Sequence, residues 1–158
     1  MEHLWAPWRN SYVTQPSGGR GRVFTEIAQS SDDKANHVLA RGKSCFALLN
    51  LYPYNTAHLM VVPYRAVPNL EDLSDDELLE LMTLLKRMKA AVTAGFHPDG
   101  FNLGINLGIA AGAGIEQHLH IHLVPRWRND ANFMTTTGGT RIHPSDLETV
   151  YATLLKQL

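Results

Sequence analysis

Residues 118–126 read His-Leu-His-Ile-His-Leu-Val-Pro-Arg. Side chains alternate between the two faces of a β-strand. A strand from His118 to Val124, stopped by Pro125, therefore turns His118, His120 and His122 to one side and Leu119, Ile121 and Leu123 to the other. The aliphatic side suits a core. Burying imidazoles without partners is costly, so the opposite side is expected to line a cleft. A lone histidine is more often structural, but a row at period two with an apolar counter-phase points to a site. The row allows two chemistries. The imidazoles could bind a metal and leave an open position, with Glu116 the nearest carboxylate to help. Alternatively one ring is a nucleophile that its neighbours tune. The preceding stretch, Asn106-Leu-Gly-Ile-Ala-Ala-Gly-Ala-Gly114, is small and permissive. Such a loop lets backbone N–H groups approach an anion. Alone it reads as a tight connection; placed before an imidazole row it points to phosphoryl or nucleotidyl transfer.

The surrounding elements follow from periodicity. Phe101 to Leu107 alternates as a strand, and Cys45 to Asn50 and His58 to Pro63 read as a hairpin around the turn Tyr52-Pro53-Tyr54-Asn55. Ser74 to Ala94 is expected to be a helix, capped by Ser74 and Glu77. Its apolar face is read as Leu78, Leu81, Met82, Leu85 and Met88, and Gly95 and Pro98 are expected to stop it. Shorter helices are expected over 24–31 and 145–158, the latter capped by Ser145 with Glu148. Leu4-Trp-Ala-Pro-Trp-Arg9 reads as an arm that packs its indoles, and 15–22 as a flexible loop. His37, His97 and His143 are read as surface or loop residues. Trp127 and Arg128 suit two roles equally: touching the far part of a long substrate, or packing of Trp127 on the arm. Strands and helices are grouped and no linker interrupts them. The expected fold is α+β with a mainly antiparallel sheet, one domain over 1–158 with 1–22 as its arm and loop.

Composition narrows the function. The chain has 158 residues, 44% hydrophobic and 18% charged, which describes a globular domain. Fourteen Lys+Arg against fifteen Asp+Glu give a net charge of -1. Nucleic acid and membrane surfaces are accordingly not expected partners. The single cysteine, Cys45, excludes an internal disulfide and a multi-cysteine zinc site. Without an apolar run of about 18 residues or a signal-like N-terminus, a cytoplasmic protein is expected.

The chain resembles the histidine-triad (HIT) family. The resemblance rests on His118-Leu-His-Ile-His-Leu-Val-Pro-Arg126, on Asn50 followed by His58-Leu-Met-Val-Val-Pro63, and on the Gly-rich loop. The opening Leu4-Trp-Ala-Pro-Trp-Arg9 and Pro125-Arg-Trp127 are similar to a bacterial branch of diadenosine tetraphosphate hydrolases and phosphorylases. The resemblance implies a HIT-like sheet continued across a homodimer or larger assembly. It implies cleavage of a dinucleoside polyphosphate at the α-phosphate, with His120 forming a covalent nucleotidyl-histidine and water or phosphate as second acceptor. His122 would assist the leaving group as proton donor, and His118 and His58 would orient the phosphates. Asn50 would contact the ribose, and Asn106 with Gly112, Ala113 and Gly114 the phosphate oxygens. The base would lie near Phe46 and Leu48. No cofactor is required; Mg2+ would only accompany the polyphosphate.

The chain departs from many relatives in two places. Gly18-Gly-Arg-Gly-Arg22 stands where they carry Cys-x-x-Cys, so that structural zinc is not expected, and Tyr64-Arg-Ala66 replaces Lys-Arg-His. The third triad position, His122, is not the Gln of the sugar-nucleotidyl-transferring branch. Two rival readings remain: a metal-dependent enzyme built on the imidazole row, and a nucleotide-binding regulator without turnover.

Overall fold

The structure, a computed structural model, describes residues 23–128, Asp130, Thr137 and 145–158. The arm and loop expected over 1–22, and His143, lie outside them. The helix α1 (Val23–Gln29) leads into the strands β1 (Val38–Arg41), β2 (Cys45–Leu49) and β3 (Leu59–Pro63). Then follow the long helix α2 (Asp75–Phe96), the strands β4 (Gly100–Ile105) and β5 (Ile121–Arg126), and the helix α3 (Leu147–Leu155). The sheet order is β1-β2-β3-β5-β4, with every neighbouring pair antiparallel. This is the expected α+β class. Among the described residues no helix is long and apolar enough to cross a membrane.

Both middle strands are buried along their whole length, because both sheet faces are covered. Cys45, Ala47 and Leu49 of β2, Leu59 and Val61 of β3, and Ile121 and Leu123 of β5 pack with α2 and α3. Phe46 and Leu48 of β2 and Met60 and Val62 of β3 form a smaller cluster with Phe24 of α1 on the other face. Met60 pairs with His122 across β3 and β5, so His122 belongs to this second face. The two-residue period thus divides β5 between a hydrocarbon core and the α1 side, as the sequence pattern implies.

Several boundaries differ from the sequence reading. The strand β5 starts at Ile121 and runs through Pro125 to Arg126, so His118 and His120 precede the regular ladder. Pro125 is tolerated because its carbonyl side faces β3 beyond the end of that strand, where it accepts from Asn55 Nδ2 at 3.0 Å. Its missing N–H therefore breaks no ladder bond. Strand β4 ends at Ile105, two residues short of the expected Leu107. Strand β1 has no counterpart in the sequence reading. Helix α2 keeps the Ser74–Glu77 capping box but passes through Gly95. His97, at φ 48, ends it in the left-handed conformation, and Trp127 Nε1 donates to the Phe96 carbonyl at 3.3 Å. Trp127 thus packs its indole N–H on a helix end. The buried face of α2 is Leu81, Leu84, Leu85, Met88, Ala91 and Val92, whereas Met82 is 54% exposed. Asp146, not Ser145, caps α3, accepting from the Thr149 amide at 2.8 Å. His37 lies in the turn before β1, as a loop residue, where its ring meets Tyr151 edge-on and its Nε2 lies 3.0 Å from Glu148.

Glu80 ties α2 to the β1–β2 turn. Its carboxylate accepts from the Lys43 amide at 2.6 Å, the Ser44 amide at 2.9 Å and the Ser44 hydroxyl. These bonds hold its carboxyl below the usual range, and a Cβ on Gly42 would collide with it. Glu80→Ala is expected to lower stability by roughly 1–3 kcal/mol, read as a smaller urea midpoint with an unchanged m-value; an unchanged midpoint would refute the tie.

Candidate active site

His118, His120, His122 and His58 are 0%, 6%, 8% and 1% exposed, so each ring nitrogen needs accounting. The His118 Nε2 lies 2.8 Å from the Pro63 carbonyl, which can only accept; Nε2 therefore carries the proton. The His120 Nδ1 lies 2.9 Å from the His118 carbonyl, so Nδ1 is protonated and Nε2 keeps a free lone pair. The His58 Nδ1 accepts from the Tyr54 amide at 3.0 Å, which places the His58 proton on Nε2. That Nε2 donates to His122 Nδ1 at 3.0 Å. The His122 proton is thereby placed on Nε2, which has no partner. Three backbone groups thus set the tautomers of four rings.

Ring contacts hold the same geometry. His120 and His122 meet edge-on with centroids 4.8 Å apart. Phe24 of α1 lies against His118 at 5.4 Å and His120 at 5.2 Å. Tyr54 covers His58 at 4.6 Å and His122 at 5.7 Å. The Tyr54 loop is fixed by Asn55, whose Nδ2 donates to the Pro125 carbonyl at 3.0 Å and to Asp130 at 2.8 Å. The loop reaches His58 through Ala57, which holds φ 58, a left-handed value that costs a non-glycine residue about 1–2 kcal/mol.

His120 and His122 open onto a cleft of about 430 Å³ between α1, the turn before β1, β2 and the loop after β4. This is the size of a small-molecule site. Among the described residues its wall carries no Lys, Arg, Asp or Glu. Asn50, Leu48, Asn106, Gly112 and Gly114 also line it. Phe46, Ala113, His118 and His58 do not. Phe46 is fully buried and stacks on Tyr64 at 5.3 Å, while His118 and His58 stand behind the two rings that face the cleft. The Asn50 Oδ1 accepts from the Tyr52 amide at 2.9 Å. Gly108 at φ 78 and Gly112 at φ 86 bracket the short turn Ile109–Ala111. A Cβ there would meet nothing within 4 Å, so the backbone angle and not space calls for glycine. Tyr54 and Phe24 went unread as site residues in the sequence. Nothing in a turn tetrapeptide or a short helix announces that its ring will cover an imidazole.

Burial drives the electrostatics. Desolvation holds His118 and His120 below the ordinary imidazole value, and burial beside His120 brings His122 down to about 4. All three rings are neutral near pH 7. The free lone pair of His120 is thus available without deprotonation. Among the described residues no group of three or more His, Cys, Asp or Glu is placed to hold a metal. The ring nitrogens facing Pro63, the His118 carbonyl and His58 are each committed to a protein partner.

The neutral rings also link stability to pH. A group that binds protons more readily unfolded, at the ordinary value of 6.5, than folded, at about 4, weakens the fold as pH falls between those values. Thermal midpoints are therefore expected to fall from pH 6.5 toward 4. The slope should be shallower in His122→Asn, and equal slopes in the two proteins would contradict the assignment.

Comparison with known proteins agrees with this architecture. The HIT domain family model matches residues 31–129. A Mycobacterium tuberculosis protein named AP-4-A phosphorylase is 46% identical over 152 residues, covering 91% of this chain and 77% of that protein. The asymmetrical bis(5'-nucleosyl)-tetraphosphatase of Schizosaccharomyces pombe is 36% identical over 95 residues, 60% of this chain and 52% of that protein. Among solved structures, a Zn-bound histidine triad family protein from Mycobacterium smegmatis superposes with a TM-score of 0.68 at 26% identity, over 85% of this chain and 91% of that one. The matched span takes in every strand of the sheet and all four histidines of the site, and on that ground the chain belongs to the HIT domain family.

Proposed function

We propose that this protein is an enzyme that cleaves dinucleoside polyphosphates, with diadenosine tetraphosphate as the preferred substrate class. One observation carries the reading: His120 Nε2 is an unprotonated nitrogen on the cleft, held there by the bond from its Nδ1–H to the His118 carbonyl. In the first step the Nε2 lone pair attacks the α-phosphorus and the bond to the bridging oxygen breaks. The nucleotide remains on His120 and the departing polyphosphate takes the bond's electrons. The new imidazolium keeps its Nδ1–H on the His118 carbonyl. His122 Nε2–H donates to the departing oxygen, and a hydrogen bond suffices because the leaving group is itself a phosphate with its charge spread over several oxygens. In the second step water or inorganic phosphate attacks the same phosphorus and the N–P bond breaks, restoring the lone pair. The name borne by the relative of 46% identity supports phosphate as the acceptor.

In this reading Asn50 meets the ribose, and Asn106 with Gly112 and Gly114 meets the phosphates. Ala113 contributes through its backbone alone, and Phe46 supports the wall behind Leu48. His58 and His118 are positioning residues, acting through His122 and His120. A cleft without charged side chains suits a polyphosphate that brings its own divalent ion, so Mg2+ travels with the substrate and no resident cofactor is needed. The outer edge of β4, with Leu103 50% exposed, suits pairing with a second copy across a two-fold axis. The protein acts in the cytoplasm, where a lone thiol such as Cys45 stays reduced, and takes neither nucleic acid nor membrane as partner.

Incubation with diadenosine tetraphosphate is expected to yield ADP and ATP when phosphate is present, or AMP and ATP if water is the acceptor. His120→Ala should lose at least roughly a thousandfold in kcat while folding normally. Full activity in that variant, or no acid-labile adduct on His120 during turnover, would overturn the mechanism.

A further inference from the structure

One polar group on the cleft has no place in the mechanism. Asn36 lies at the end of the wall formed by α1 and the turn before β1, among Val23, Phe24, Ile27 and Ala35. Its amide nitrogen is fully committed: Nδ2 donates to the Asp32 carbonyl at 2.7 Å and to the Ser30 hydroxyl at 3.0 Å. A carbonyl can only accept, so the amide cannot flip without placing two acceptors together. The orientation is therefore set, and Oδ1 is left over, with no hydrogen-bond partner among the described residues, on a side chain that lines the cleft. Its neighbours on that part of the wall are hydrocarbon.

The position fits the far end of a nucleotide. β1 and β5 are separated by two intervening strands, hence about 14 Å at the usual strand spacing. With the α-phosphorus at His120 and the ribose at Asn50, a base directed along the cleft toward α1 brings its distal edge to Asn36. A lone acceptor in an apolar surround favours a donor on that edge. An exocyclic amino group supplies one; a keto oxygen presents a second acceptor and leaves both desolvated.

Resting on the nucleotide reading above, we infer that Asn36 is a specificity-determining residue: its Oδ1 selects 6-aminopurine nucleotides over their 6-oxo counterparts. The turn 30–36 acts as the orienting scaffold, since Ser30 and Asp32 decide which end of the amide faces the ligand.

Calorimetric titration of the wild-type protein with AMP, IMP and purine riboside 5'-monophosphate tests this directly, because the three differ at the 6-position and its adjoining ring nitrogen. AMP is expected to bind roughly tenfold more tightly than either of the others. In Asn36→Ala the AMP-to-IMP ratio should collapse to within about threefold, mainly through weaker AMP binding. AMP and IMP binding the wild type equally, or a ratio that survives in Asn36→Ala, overturns the inference and leaves the proposed reaction standing. Should all three nucleotides fail to bind, the inference falls together with the nucleotide reading; cleavage of dinucleoside polyphosphates without base preference would sink only the inference.

Discussion

The antiparallel pairing of β3 with β5, with Met60 opposite His122 and Val61 opposite Ile121, is the constraint on which the site depends. It decides which side chains of β5 enter the core beneath α2 and α3 and which reach the cleft beneath α1. A slip of one residue would send His122 into hydrocarbon and Ile121 and Leu123 into the cleft. The apolar residues of β2 and β3 prevent that slip, because both strands are buried on both faces and any other register would leave part of that surface wet. The same pairing brings the end of β3 beside the triad. Pro63 offers its carbonyl to His118, and Val67 just beyond accepts from the Leu119 amide at 2.7 Å.

Tautomer control follows from that frame. His118, His120 and His122 each spend one nitrogen on a backbone group or on another ring, and His58 spends both; the two rings that line the cleft keep one lone pair and one N–H. The burial that keeps the rings neutral is the same burial that makes unpartnered nitrogens costly. The His122 Nε2 proton and the His118 Nδ1 lone pair are left without partners. The former belongs to a ring that lines the cleft. Among the described residues the wall carries no charged side chain, so the polar groups it offers are neutral imidazoles, amides and backbone groups, the kind of preorganised dipoles that serve charge redistribution in a transition state.

The loop between β2 and β3 carries the remaining precision. It bears Tyr54, whose amide fixes His58 and whose ring covers His58 and His122. The loop is held at its far end by buried Asn55, which joins the end of β5 and Asp130, itself paired to Arg126 at 2.6 Å. A segment outside the regular sheet is thereby made as definite as the strands it joins.

The alternation at 118–124, the α2 capping box, the apolar runs of β2 and β3 and the glycines of the 106–114 loop were legible in the sequence alone. They express local rules: two-residue periodicity, a side chain reaching the third residue of its own helix, and backbone angles that only certain residues adopt. The apolar identity of Leu119, Ile121 and Leu123 between the histidines needed nothing more. Other features belong to the tertiary structure. That Phe46 is wall support and not lining, that Phe24 and Tyr54 enclose the imidazoles, that Trp127 closes α2 and that Asn36 leaves an acceptor on the cleft are contacts between elements distant in the chain or amides turned by neighbours. Local pattern specifies which way a side chain points from its own backbone. What it meets there, and therefore which proton it carries, is set only when the sheet order brings β3 beside β5 and lays α1 across them.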